Sequence, residues 1–470
     1  MDAPLYGTYG QVASSNDSAS VDIDTAFMLA SISKPFVGAA VAVLIDQGRL
    51  SLDDDICNVL GGPIKDGKIN TACRNPFFPD TNVTWRMLVT HRSSLTLDLP
   101  EVSENYTAAY GPNVDFRYIK SVGNPSCPLD DVQQFYEDLF VDKETETTVG
   151  NIGFSVNWYD LADEMLGGVW NDNNPPGAVN SYSNVAVGYI ASLIEKLTGE
   201  KFEQFCEANI FAPAGMNHTA WFMRDLPDNT QVAVPVFAYD ETLGTWEDIG
   251  HYCFIDYASG QLYSSIRDMA TYADLMLSYG IGTLWSNTTA MEHVFGCQER
   301  DVLGNLMPDN STECQNALSW FHLSNALRDG LGDDASLYAE AVKTLTWTNG
   351  IEHSGGESGV ATDSIILPES DFYAIVLLNT DEADAGYIMK VLTIEGMAML
   401  NGDPPVGPAG YGEVPLSNDT AGDDAPGDED GMGTGNGDDD GTSVAKEMHG
   451  QRHRATVWCG LRNTPKRWLM

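Results

Sequence analysis

Basic residues are scarce in this chain. Its 470 residues carry 24 lysines and arginines against 68 aspartates and glutamates, a formal net charge of −44. A surface that acidic repels nucleic-acid phosphates and anionic membranes, which argues against a partner of either kind. Long apolar runs are missing too, since no stretch approaches the roughly 20 apolar residues that span a bilayer. None of the 8 cysteines stands in a C-x-x-C pair, which argues against a structural zinc site or a thioredoxin-like motif. No metal or cofactor is expected. The opening residues, MDAPLYGTYG, lack the charged-then-apolar leader of an exported protein.

What is present is the makeup of a globular protein. With 43% hydrophobic and 20% charged residues, the chain can bury a substantial core, in one large domain or two ordinary ones. Cys57/Cys73 and Cys297/Cys314 each flank a short, loop-like segment, and each pair is either a disulfide or two buried thiols. Asn16, Asn82, Asn105, Asn217, Asn287, Asn310 and Asn418 each open an N-x-[ST] glycosylation sequon. Sequons spread over polar segments lean toward a secreted glycoprotein with disulfides. Set against the missing leader, the expectation is an incomplete start or a protein that is not exported.

Residues 1–30 read as short, strand-like and rich in Gly and Ser. A helix is predicted from Ser31 through Gln47, closed by Gly48, with a middle (Val37 to Ile45) that is apolar all round and so buried on every side. Thr84 is a good N-cap for a second helix over WRMLVTH. The stretch 96–180, rich in Asn, Asp, Gly and Pro, reads as elaborated surface loops holding one helix at DVQQFYEDLF. VAVGYIASLIEKLTG is an amphipathic helix ending at Gly199, and Ser265 with Asp268 opens another that ends at Gly280. A helical, irregular insertion is expected over 284–340. TLTWTNG and YAIVLLN are two strand candidates, with SIILP between them, and a last helix follows at GYIMKVLTIEGMAML. Residues 402–441 are Gly, Pro, Asp and Glu, an acidic disordered linker. The remainder, 442–470, is basic; it either docks on the acidic body or is a misread coding end.

Chemistry is suggested first by Ser31-Ile32-Ser33-Lys34. At a helix start, residues three apart share a face, so Ser31 Oγ and Lys34 Nζ can meet. A lysine at the mouth of an apolar helix is desolvated, which lowers its pKa and lets it accept a proton. The helix N-terminus offers free N–H groups to a developing negative charge. The bland alternative makes Ser31 an N-cap and Lys34 a snorkelling surface lysine. The spacing alone is weak evidence, because the tail repeats it by chance at Ser443-Val444-Ala445-Lys446. Ser181-Tyr182-Ser183-Asn184 precedes an amphipathic helix, where a tyrosine near a lysine cation can relay a proton and Asn184 can hold Lys34 or a substrate carbonyl. His353-Ser354-Gly355-Gly356 follows a strand and offers a glycine-rich edge that a substrate can approach. Taken singly, the former could be a core aromatic before a cap and the latter an ordinary turn.

Together and in this order, ASISKPF, NSYSNVAVGYIASLIEKLTG and IEHSGG resemble the β-lactamase-related serine hydrolases: class C β-lactamases, D-alanyl-D-alanine carboxypeptidases, D-aminopeptidases and family VIII-type esterases. VTWRMLVTHRSSL, IFAPAGMNHT and ASGQLYSSIRDMATYADLMLSYG are similar to the family's linking segments, so the resemblance covers about residues 5 to 400. It implies an α+β fold, an antiparallel sheet flanked by helices with a helical region inserted, over residues 1–401. It also implies Ser31 as nucleophile, Lys34 and Tyr182 as general base and acid, and Asn184, His353, Ser354 and Gly355 as substrate-binding residues. The backbone N–H groups of Ser31 and Gly356 would form the oxyanion hole. The reaction implied is hydrolysis of a small ester, D-amino-acid peptide or β-lactam-like amide through an acyl-enzyme.

Three departures from the family pattern stand out. His353 replaces a lysine that holds substrate carboxylates in the lactamases, which favours esters or peptides. Arg92 and Ser94 stand where the family has small residues. The family's first helix and strand, upstream of YGTYGQ, find no room here, so the sheet is expected to be one strand short. The alternative function is a catalytically silent relative acting as a binding or scaffold protein. A non-enzymatic secreted glycoprotein has only the sequons and the acidity behind it.

Overall fold

A computed structural model describes residues 5–8, 11–13, 19–97, 130–140, 169–240, 245–248, 250–286, 288–300, 314–322, 350–380 and 455–461, with fragments at 121–122, 127, 147–148, 155–156, 305, 307 and within 385–393. The principal sheet has six strands: β1 (Leu5–Thr8), β5 (Phe321–His322), β6 (Ile351–Glu357), β7 (Val360–Leu367), β8 (Phe372–Leu378) and β9 (Ala455–Leu461). Its order is β1-β9-β8-β7-β6-β5, antiparallel throughout. A smaller sheet joins β2 (Ala26–Met28), β3 (Thr219–Ala220) and β4 (Tyr263–Ser265), with β4 in the centre.

The strand β8 explains its own position. FYAIVLL is an unbroken apolar run, and all seven residues are buried, as in a strand covered on both faces. Tyr373, Ile375 and Leu377 enter the main core, while Phe372, Ala374, Val376 and Leu378 join Ala385 and Met389 in a second core on the other face. The expected last helix is helical where it is described, at 385–386, 388–389 and 392–393; the rest of it lies outside the described residues. So do most of TLTWTNG, the linker 402–441, the tail copy Ser443–Lys446, and much of 96–180 and 284–340. The strand expected to be wanting beside YGTYGQ is supplied from the other end of the chain, because β9 lies between β1 and β8.

The helices follow their sequence signals. The first is α1 (Lys34–Asp46), in which every residue from Lys34 to Leu44 is buried, with Pro35 in the first turn where its missing N–H costs nothing. Thr84 caps α2 (Trp85–Val89) by accepting from the Met87 N–H. That helix is two residues shorter than predicted, because His91 takes a left-handed backbone (φ 55°) that cannot extend a helix. Then come α3 (Val132–Leu139), α4 (Asn184–Thr198) and α5 (Ile266–Leu277), the last two capped by Ser183 and Ser265. Gly199 closes α4 in the left-handed conformation (φ 77°), where a side chain would be strained. Of the 284–340 region, Thr288–Phe295 is helical.

Both cysteine pairs suggested by their flanking positions are disulfides, Cys57–Cys73 and Cys297–Cys314. A third, Cys127–Cys253, joins residues 126 apart and had no signal in the sequence. Among the described residues, Cys206 is a buried free thiol.

Candidate active site

The tight turn that carries Ser31 is a 3-10 helix, Ala30–Ser33, which runs directly into α1. It is entered through Ala30 in the left-handed region (φ 47°), a conformation costly for a residue with a Cβ. Ser31 does not cap the helix: no side chain caps the turn at Leu29 or α1 at Ser33. Its Oγ instead accepts from Lys34 Nζ at 2.8 Å. Nor does Lys34 snorkel, being wholly buried, with Nζ donating to the Ser259 carbonyl at 2.7 Å. Ser33 Oγ accepts from the Leu262 N–H, which ties the turn to the same segment, 259–262.

Tyr182 closes the opposite side. Lys34 Nζ lies 4.9 Å from the centre of its ring, within cation–π range. His91 stacks against that ring at 4.5 Å between centres, and Phe321 lies 6.1 Å away. His91 Nδ1 accepts the Ser183 N–H at 3.1 Å, so the ring proton sits on Nε2. Burial and the neighbouring Lys34 hold His91 far below the ordinary histidine range, at about 3, and the imidazole is neutral at pH 7. Asn184, the first residue of α4, is half-buried, and its backbone N–H donates to the Leu97 carbonyl.

The strand β6 forms the third side. His353 is buried 6.5 Å from Tyr182 and 5.0 Å from Phe321, ring centre to ring centre. Its Nδ1 lies 2.6 Å from the Ser354 carbonyl oxygen, which only accepts, so Nδ1 carries the proton and Nε2 is an acceptor. Burial, and then the Lys34 charge, push its pKa down to about 3. Gly355 is where the strand meets the nucleophile turn. A Cβ there would sit 2.3 Å from Thr362 Oγ1, 2.6 Å from the Leu29 carbonyl oxygen and 2.9 Å from the Ser31 nitrogen. Only glycine permits that approach. Ser354 and Gly356 are exposed, with open space beside Gly356.

The residues singled out in sequence thus converge: Ser31, Lys34, Tyr182, His353 and Gly355 surround one point, and Asn184 stands two residues from Tyr182. Sequence reasoning passed over three neighbours. His91 and Ser259 lie inside the segments VTWRMLVTHRSSL and ASGQLYSS, which drew notice only as linking resemblances. Phe321 carried no signal at all. Among the described residues, no group of His, Cys, Asp and Glu is arranged to hold a metal ion.

Comparison with known proteins identifies the family and the fold. A family model described as Beta-lactamase matches residues 2–390, most of the chain, and the chain belongs to that family. Penicillin-binding protein 4* of Bacillus subtilis is 27% identical over 215 residues, which is 46% of this chain and 35% of that protein. Beta-lactamase-like protein 2 of Dictyostelium discoideum is 21% identical over 286 residues, 60% of this chain and 41% of that one. The chain therefore spans well under half the length of these curated relatives. Among solved structures, a penicillin-binding protein from Bacillus halodurans superposes with a TM-score of 0.50 at 18% identity, covering 80% of this chain and 88% of its own. A class C beta-lactamase mutant gives 0.50 at 14% identity, covering 82% and 86%. Both share the fold.

Proposed function

We propose that this member of the beta-lactamase family is a serine hydrolase that opens an ester or amide through an acyl-enzyme on Ser31. One observation carries the reading: the 2.8 Å contact between Ser31 Oγ and a fully buried Lys34 Nζ, at the point where Tyr182 and β6 converge. A surface lysine would spend its charge on water. This one has a carbonyl, a hydroxyl and an aromatic face.

The chemistry is set by those contacts. In the structure Lys34 Nζ donates to both Ser31 Oγ and the Ser259 carbonyl. Acting as base requires the neutral amine, which keeps the N–H on Ser259 and replaces the one on Ser31 with its lone pair. Ser31 Oγ attacks the substrate carbonyl carbon and its proton passes to Lys34 Nζ, either directly or by way of the Tyr182 phenol. The oxygen that becomes negative is held by the backbone N–H groups of Ser31 and Gly356, which the glycine at 355 allows to come close. The carbon–leaving-group bond then breaks, and the leaving alkoxide or amine takes its proton from the Lys34–Tyr182 pair. Water, deprotonated by the same pair, attacks the acyl carbonyl and frees Ser31.

His353 bears on the substrate class. It is neutral with an acceptor at Nε2, so it offers no charge to a substrate carboxylate. A neutral ester, or an amide that presents an N–H, suits it better than an anionic lactam. Export along the secretory route is supported by three disulfides and by the exposure of the sequon residues Asn82 and Asn217.

The test is a hydrolysis panel from short acyl esters through D-Ala-D-Ala peptides to nitrocefin, run on wild type and Ser31→Ala. Turnover of an ester or neutral amide that vanishes in Ser31→Ala is expected. Turnover that survives in Ser31→Ala would remove Ser31 as the nucleophile, and none on any substrate would set the hydrolase reading aside in favour of a silent binding relative.

A further inference from the structure

The Cys297–Cys314 loop holds a buried carboxylate, Glu299, that the acyl-enzyme reaction does not use. Its side chain is wholly inaccessible and pairs with Arg92 (Nη2 to Oε2, 2.6 Å), itself only 17% exposed. Glu299 Oε1 accepts from Asn316 Nδ2 at 2.6 Å, from the Gln315 N–H at 3.3 Å and, at longer range, from Asn180 Nδ2 at 3.4 Å. Asn180 is also held by Gln315 Oε1 at 2.9 Å. A carboxylate this deeply buried needs its full set of donors, and it imposes their positions in return.

Two of those donors stand beside the segments that hold Tyr182, the candidate proton relay. Arg92 follows His91, the residue stacked on the Tyr182 ring. Asn180 stands two residues before Tyr182, and between them the Ser181 N–H donates to the His91 carbonyl at 2.7 Å. The residues on either side of Glu299 are anchored. Gln298 Oε1 accepts from Arg86 Nη1 at 2.6 Å, and Arg300 pairs with Asp53 at 2.7 Å. On its other side the disulfide leads from Cys314 into the turn that presents Phe321 to Tyr182. Arg92, a departure from the family pattern, thereby finds its reason in a residue of the inserted segment.

We propose that Glu299 is a positioning residue for Tyr182: the disulfide-closed loop, through the Glu299–Arg92 pair and Asn180, sets the tyrosine against Lys34. The proposal rests on the hydrolase reading for its catalytic consequence but not for its structural one. A tyrosine displaced by a fraction of an ångström still binds substrate and transfers protons poorly, so the loss falls on kcat.

The experiment uses the full chain with Glu299→Gln and Arg92→Gln/Glu299→Gln, the second removing the orphaned guanidinium charge. Four quantities are read: kcat and KM for p-nitrophenyl acetate, the pH profile of kcat, the melting temperature, and hydrogen exchange over 177–185. Glu299→Gln is expected to lower kcat about tenfold to a hundredfold, with KM within about twofold, to shift the pH profile, and to speed exchange at 180–184. The double variant should regain melting temperature while kcat stays low. Recovery of both, or unchanged exchange at 180–184, overturns the proposal and leaves Glu299 merely structural. If wild type shows no Ser31-dependent turnover, the hydrolase reading fails, and the exchange data alone still decide the positioning role.

Discussion

On one wall of the site, Ser31 and Lys34 meet because a single helical turn separates them and the apolar helix that continues from Lys34 is buried. On the other, Tyr182 clusters with His91 and Phe321, which reach it from distant parts of the chain with Glu299 and a disulfide behind them. In the first wall the reacting pair is local in sequence, behind the strained Ala30, and distant segments only brace it through the Ser33 bond to Leu262 and the close approach at Gly355. The second is assembled, and its geometry depends on one buried ion pair and on loops laced together by backbone hydrogen bonds. Local walls fail by direct damage to the reacting atoms. Assembled walls fail by loosening, with the reacting atoms still present.

That contrast can be broken most severely at Lys34. Lys34→Met keeps the volume but removes the base, and should lower kcat/KM by about a thousandfold or more while the fold survives; steady-state kinetics and circular dichroism check both halves. Gly355→Ala drives a methyl into Thr362, Leu29 and the Ser31 backbone. It should cost about a hundredfold in kcat with a measurable drop in melting temperature. Tyr182→Phe preserves the ring stack and deletes the phenol. Its expected loss is smaller, about tenfold to a hundredfold in kcat with KM little changed. A larger loss there than at Lys34 would reverse the assignment of the base.

The smallest effect concerns pH. The His91 and His353 pKa values of about 3 lie below the unfolded value of 6.5, so between those limits the unfolded chain binds more protons. Their contribution to stability is complete above pH 6.5 and declines as pH falls. Glu352, raised to about 7 by burial, acts in the opposite sense and loses its contribution as pH rises from 4.5 toward 7. His353→Gln should therefore narrow its stability gap to wild type by about 1–2 kcal/mol between pH 7 and pH 5. Urea denaturation at the two pH values measures this, and a gap that widens on acidification would contradict a buried neutral His353.

The two walls also differ in how far the sequence disclosed them. The all-round apolar run after Lys34, the caps Thr84, Ser183 and Ser265, and Gly199 each state a local preference that the fold obeys. The chance copy at Ser443–Lys446 shows why the S-x-x-K spacing needed its buried helix as context. Long-range pairings carry no such local mark. Nothing near Arg92 names Glu299 as its partner, nothing in Cys127 points to Cys253, and the Ser259 carbonyl that receives Lys34 is a backbone atom every residue has. The strand at 455–461 sits in a basic tail whose composition gave no hint of a place inside the sheet.

The reactivity of Ser31 is the claim on which the rest depends, and covalent labelling tests it directly. Folded wild-type protein treated with a fluorophosphonate, digested and read by mass spectrometry should carry the adduct on the Ser31 peptide, with labelling abolished in Ser31→Ala and slowed in Lys34→Met. An unlabelled Ser31 in folded protein, or an adduct on another serine at the same rate in all three proteins, would contradict the account.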